Sequence, residues 1–400
     1  ETVEYKLSEL EIALYEAVTQ YVKTEMNRAK NLDGKRRGSV GFALTILQRR
    51  LASSPEAIFQ SLTRRLARME RMLQEAKTEQ RGLSALGNLH ESMQDEEVDI
   101  DEVYDDLPGE EVEALEEQVV DQATAAQTIE ELEAEIESLK DLVSKAKQVR
   151  AAEEDQKWRQ LSTLLQDNPL MKDEHGNRRK IIIFTEHKDT LNYLYDRINQ
   201  LLGNQPDAIE VIHGGVKRED RRTAIEKFYN YANCTVLLAT DAAGEGVNLQ
   251  CAHLMINYDM PWNPNRIEQR FGRIHRIGQE EVCHMFNLIA KDTREGDVFV
   301  RLFEKLEMAR RSLGGQVYDV LGQQFNERTL RDMMIEAIRY GEKTEVREKM
   351  DRVMDDALDP KIIQTLLEDY ALTDDTMDQV QIMECKPYSK KKKWEVMQNK

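Results

Sequence analysis

The stretch TVLLATDAAGEGVNLQ (residues 235–250), followed by LMINYDMPWNPNRIEQRFGRIHRIGQ (residues 254–279), decides how this 400-residue chain is read. Each half opens with a short apolar run, Thr235–Ala239 and Leu254–Tyr258, too short for a helix and bounded by polar turn residues. Runs of that kind read as strands buried on both faces of a sheet. Working outward, Ile181-Ile182-Ile183-Phe184 and Ile209–Ile212 repeat the pattern, and a further strand is expected near Val282–Leu288. Helical periodicity separates them, around Leu191–Ile198, Ala224–Tyr229 and Asn265–Phe271. Strands alternating with helices predict βαβ units, a parallel sheet and an α/β fold. Ligands of such sheets gather at the carboxyl ends of the strands. The loops after Phe184, Ile212, Ala239 and Tyr258 are therefore the ones to inspect.

Two of these loops carry chemistry. Gly244 and Gly246 flank Glu245 just after a strand. A glycine pair of this spacing either makes a tight turn or lets the backbone approach a ligand and aim N–H groups at anionic oxygens. Arg270, Arg273 and Arg276 recur every three residues, which on one helix would align three guanidiniums. Such a row either pairs with carboxylates at the surface or faces an anion such as a developing phosphoryl charge.

At this point the residues resemble a known family. TDAAGEGVNLQ resembles motif V, and QRFGRIHRIGQ motif VI, of superfamily 2 helicases in their Swi/Snf-type branch. NYDMPWNPNRIEQRFGRIHRIGQ is similar to the matching run of RapA-like, polymerase-associated bacterial ATPases and of phage-defence helicases of the DISARM type. IIIFTEH stands where motif IV belongs, and His213-Gly214-Gly215 with Arg221 resembles the segment after it.

The resemblance implies a RecA-like helicase C-terminal lobe with extra helical segments before and after it. It implies that Arg273 and Arg276 reach the γ-phosphate of ATP, with Mg²⁺, held by a first RecA-like lobe of the same protein. Gly244, Glu245, Gly246, Asn248 and Gln269 would lie near the nucleotide. Thr185, His187, Lys188, His213, Arg221 and Thr240 would approach nucleic acid, expected to be double-stranded DNA. Thr185 could equally cap the following helix. RNA polymerase or defence-system subunits are the implied partners. Swi/Snf-type relatives typically track along duplexes without separating strands.

The first lobe should supply GxxxxGK[ST] and a DExH-type box. Gly34-Lys35 lacks the upstream glycine and the Ser/Thr, Asp95-Glu96-Glu97 lacks a preceding strand, and Asp173-Glu174-His175 sits in a polar turn. With Glu1 rather than methionine at its start, the chain reads as a piece of a longer protein, expected to hydrolyse nothing alone. A competing reading is a protein-interaction scaffold without catalysis of its own.

The flanks divide by composition. Residues 1–90 read as helical, with a Ser8/Glu11 capping box and a second start at Ser53-Ser54-Pro55. Arg64, Arg65, Arg68 and Arg71 lie off the apolar stripe, as a solvated face or a phosphate-contacting one. Residues 91–127 read as an acidic flexible insertion, either a mobile loop or an acidic mimic of nucleic acid. Residues 91–140 hold 20 acidic residues and one lysine, so their balance of −19 equals that of the whole chain and the remainder is neutral. Net charge therefore does not exclude a nucleic-acid partner.

Residues 128–179 read as a long helix, started by Thr128 and Glu131 and reaching towards Leu165, with a connector. Residues 180–325 make the α/β lobe, and 326–400 a helical extension whose tail, Lys390–Lys393, is either solubilising or a nucleic-acid contact. Four cysteines without a CxxC pair read as buried free thiols rather than a zinc site. No apolar run approaches membrane-spanning length and no secretory signal opens the chain, so a cytoplasmic location is expected.

Overall fold

The computed structural model describes residues 1–32, 34–78, 109–241, 248–275, 279, 281–313, 327–341 and 343–357. Six parallel strands form one sheet: β1 (Thr2–Tyr5), β2 (Ile181–Thr185), β3 (Ile209–Ile212), β4 (Val236–Thr240), β5 (Leu254–Asn257) and β6 (His284–Ala290). Their order across the sheet is β1-β6-β5-β2-β4-β3. β2 and β4 are buried along their whole length, which is why they read as unbroken apolar runs. β6 begins two residues later than its periodicity suggests, and Val282 is left exposed.

Around the sheet lie α1 (Glu9–Ala29), α2 (Gly34–Ser53), α3 (Pro55–Thr78), α4 (Gly109–Gln122), α5 (Ile129–Ala152), α6 (Gln156–Asp167), α7 (Lys188–Leu201) and α8 (Arg218–Asn230). α9 (Pro264–Phe271), α10 (Arg294–Leu313), α11 (Glu327–Tyr340) and α12 (Thr344–Ala357) complete the described helices. This is the expected α/β fold, a RecA-like parallel sheet with flanking helices.

Four expectations about the flanks change. Residues 2–5 are not helical: they form the edge strand beside β6, with Thr2 opposite Asn287 and Tyr5 opposite Ala290. Four residues with Glu4 among them are too few to show a strand period against the capped helix that follows. Ser8 does cap α1, accepting from the Glu11 N–H while Glu11 accepts from the Ser8 N–H.

The acidic segment is also not a loop throughout. Residues 79–108 lie outside the described residues, but α4 packs Val119 and Val120 into the core of the helical part. Two of its carboxylates meet arginines: Arg49 stands 3.1 Å from Glu116 and Arg64 3.7 Å from Glu117. Charge counting along the chain cannot see arginines that fold back from α2 and α3.

The long helix is two helices. Glu153 adopts a left-handed backbone (φ 52°) that ends α5, and Asp155 then caps α6 by accepting from the Trp158 N–H at 2.7 Å. Of the α3 arginines, Arg65 is neither solvated nor available to phosphate. It is fully buried, donating to Tyr21 Oη at 2.9 Å, Glu135 at 2.8 Å and the Val120 carbonyl, so it pins α1, α3, α4 and α5 together. The basic tail lies outside the described residues.

Beside this knot Glu25 is buried with one carboxylate oxygen unpartnered among the described residues. Burial, reinforced by Glu135, pushes its carboxyl up to about 7. An acid whose folded pKa is raised costs stability progressively as pH climbs from its unfolded value to the folded one. Glu25→Gln is therefore expected to leave stability near pH 4.5 unchanged and to add about 1–2 kcal/mol at pH 8. Urea denaturation at both pH values checks this; an equal effect at both would contradict it.

Candidate nucleotide and nucleic-acid site

From β2 the chain builds β3 and β4 to one side, then crosses to lay β5 and β6 on the other. The switch point is therefore the crevice at the carboxyl ends of β2 and β5, where a small ligand would ordinarily bind. Here the protein fills that crevice itself. Asp259, just after β5, is buried, and its Oδ1 takes Lys157 Nζ at 2.7 Å. Its Oδ2 accepts from Ser53 Oγ at 2.7 Å, the Glu186 N–H at 3.1 Å and Thr185 Oγ1. Burial alone would push Asp259 up, but Lys157 and these donors hold it down at about 2.

Lys157 uses its other protons on the last carbonyls of α2, Ala52 at 2.8 Å and Ser53 at 3.0 Å. Thr190 stands within hydrogen-bond distance of both Ser53 (2.6 Å) and Ser54 (2.8 Å). With the Ser53 proton committed to Asp259, the hydroxyl order runs Ser54 to Thr190 to Ser53 to Asp259. One step away, Arg49 holds Glu186 at 2.7 Å.

Beside this filled crevice, the loops after β4 and β5 meet through Arg270. Its guanidinium forks onto both oxygens of Asp241, with Nη2 at 2.7 Å from Oδ2, while Nη1 reaches Asn257 Oδ1 at 3.0 Å and the Asp259 carbonyl at 2.7 Å. The guanidinium also lies 5.2 Å from the Phe184 ring centre. Burial would raise the Asp241 carboxyl; Arg270 overrides that and holds it below the usual range. Arg270 is thus a buried clamp.

The row of three arginines on one helix does not form. α9 ends at Phe271 with Gly272 as its cap, and Arg273 follows in a tight turn, its N–H donating to the Arg270 carbonyl at 3.1 Å. Arg273 stays partly exposed, and its own carbonyl accepts from the Leu249 N–H at 3.1 Å, which ties the two motif segments a second time. Gln279 makes a third tie, donating to the carbonyls of Gln250, Ala252 and Ile274.

The other expected site residues fall into three groups. Arg276, Gly244, Glu245 and Gly246 lie outside the described residues. Asn248 and Gln269 are exposed near the clamp, and the Asn248 amide is engaged with Gln250 at 2.9 Å. Thr185, His187 and Thr240 are buried at strand ends. Thr185 serves Asp259 rather than capping α7. His187 is driven down to about 3 by burial and the nearby Arg50, so its imidazole is neutral. The Thr240 hydroxyl has no partner among the described residues. Lys188 is exposed; His213 and Arg221 are partly so, the His213 Nδ1 accepting from the Gly215 N–H at 3.1 Å.

Lys157, Ser53, Asp241, Asp259 and Arg270 were not foreseen as a network. Asp259 lies 102 residues from Lys157 and 206 from Ser53, and no local pattern connects them.

Residues 156–278 match the helicase conserved C-terminal domain. An uncharacterized ATP-dependent helicase of Bacillus subtilis, YqhH, is 42% identical over 142 residues, 36% of this chain and 24% of that protein. The ATP-dependent DNA helicase DDM1 of Arabidopsis thaliana is 32% identical over 141 residues, 35% of this chain and 18% of that protein. The match thus spans about a quarter or less of either relative. The C-terminal part of the Fun30 ATPase domain aligns over 85% of this chain and 97% of its own, at 19% identity and a TM-score of 0.44.

Removing one partner of a buried ion pair costs far more than the pair contributes net, because the other charge is stranded. Arg270→Ala is expected to lower unfolding free energy by about 3–5 kcal/mol. Denaturant unfolding measures it; a loss below about 1 kcal/mol, the scale of an exposed pair, would contradict the clamp.

Proposed function

We propose that this chain supplies the second motor lobe of a Swi/Snf-type, ATP-dependent translocase acting on double-stranded DNA. Arg273 and Arg276 act on ATP bound by a first RecA-like lobe elsewhere in the protein. The observation that carries this reading is the Asp241–Arg270 clamp. It joins the segments resembling motifs V and VI at the carboxyl edge of the sheet and sets Arg273 in the turn immediately after α9.

Arg273 is partly exposed and follows a helix end held by three backbone and side-chain ties, and an arginine on so fixed a backbone suits a phosphate. ATP with Mg²⁺ is the cofactor of this reading, and the metal polarises the phosphates when bound. This chain's contribution is then electrostatic: Arg273 and Arg276 offset charge developing on the γ-phosphoryl group, while Gln269 and Asn248 are exposed.

DNA is assigned to the neighbouring face. Lys188 beyond β2 and Arg221 with exposed Lys217, Arg218 and Arg222 around α8 present cationic groups suited to phosphate backbone, and the partly exposed His213 adds a polar ring. Thr185 and His187 are buried, so contact from either would require the surrounding residues to move. The relatives' names, an ATP-dependent helicase and an ATP-dependent DNA helicase, support the class. RNA polymerase or phage-defence subunits in the cytoplasm are the partners that accompany the resemblance.

The test joins this chain to its natural upstream region and follows ATP hydrolysis with and without duplex DNA. Hydrolysis is expected to rise on adding DNA, and Arg273→Ala to lower it on the order of 10³-fold, the scale of an arginine finger. A DNA-stimulated rate that Arg273→Ala leaves unchanged would overturn the assignment and favour a scaffold.

A further inference from the structure

The helical part reaches the motif-bearing loops through an unbroken series of contacts that centres on one carboxylate. Ser53 at the end of α2 and Lys157 on α6 hold Asp259. The Asp259 carbonyl accepts from Arg270 Nη1 at 2.7 Å, and the same guanidinium grips Asp241. The Arg270 carbonyl in turn fixes the Arg273 N–H at 3.1 Å.

We propose that Asp259 is a positioning residue: through it α2 and α6 set where Arg273 stands relative to β4. The inference rests on the motor reading above and assigns a mechanical task to the helices that precede the lobe.

Two features favour positioning over simple adhesion. The carboxylate is fully committed, with Oδ1 taking Lys157 and Oδ2 three further donors, so its position is over-determined. The loop also needs holding. A cavity of about 50 Å³, lined by Lys157, Glu186, Asp259, Met260 and Trp262 among others, adjoins it. Once unpinned, the 259–262 turn has room to move, and Arg270 would move with its carbonyl partner. A displacement of about 1 Å at a catalytic group costs on the order of 10²-fold in rate. Glu186 enters this series only through its backbone N–H, its carboxylate being held by Arg49, and the His187 Nε2 has no partner among the described residues.

The experiment uses the full-length protein and measures kcat and KM for ATP in DNA-stimulated hydrolysis, with thermal melting alongside. Asp259→Asn keeps the shape, removes the charge facing Lys157 and turns one acceptor into a donor. It is expected to lower kcat about tenfold or more while KM for ATP stays within about threefold. Ser53→Ala removes one donor and is expected to lower kcat about threefold, with Ser53→Thr, which keeps the hydroxyl, recovering most of it. If Asp259→Asn fails to fold, the Ser53 pair decides.

Adhesion alone predicts a lower melting temperature with turnover per folded molecule unchanged, and that result overturns the inference. An unsubstituted protein that does not hydrolyse ATP with DNA removes the motor reading and this inference with it. An active protein indifferent to Asp259→Asn and Ser53→Ala removes only the positioning role.

Discussion

The Asp259 carboxylate is the interaction on which the rest of the structure depends. It sits at the switch point of a parallel sheet, where a crevice opens at the carboxyl ends of β2 and β5. A buried carboxylate is costly unless every lone pair finds a donor and the charge finds a counter-charge. Both conditions are met from distant parts of the chain: Lys157 from α6, Ser53 from α2, and Thr185 with the Glu186 N–H from the end of β2. The helical part is therefore joined to the sheet by a fully satisfied ionic knot as well as by apolar contact.

That knot explains where the functional loops end up. Because the protein occupies its own switch-point crevice, the proposed nucleotide site is assigned to the motif segments beside it. There Arg270 replaces what would be repulsion between adjacent arginines with a buried fork onto Asp241. Of the two described arginines of the run, Arg270 is buried and Arg273 is partly exposed. The bidentate geometry makes lysine a poor substitute at position 270, since a point charge cannot hold both carboxylate oxygens, Asn257 and a carbonyl at once.

Strands that are buried on both faces announce themselves, and β2, β4 and β5 were legible from their apolar runs. β1 was not, because Thr2–Tyr5 is short and half polar and gains its identity only by pairing with β6. α4 was hidden by its charge, which Arg49 and Arg64 offset from elsewhere in the chain. The motif segments were legible as a place for chemistry, yet the role of each arginine was not. Spacing alone set the three side by side, whereas Gly272, visible in the sequence, ends the helix before Arg273. Lys157 and Ser53 carry no local signal of their role at Asp259, since it exists only across separations of more than 100 residues.

The most direct test of this account is a double-mutant cycle on Lys157 and Asp259. Unfolding free energies would be measured for Lys157→Met, Asp259→Asn and the pair together. If the ionic knot joins the helices to the sheet, the two substitutions are strongly coupled, by about 2 kcal/mol or more, because either one alone strands a buried partner. Additive losses within about 0.5 kcal/mol would contradict it and reduce Asp259 to one polar contact among many.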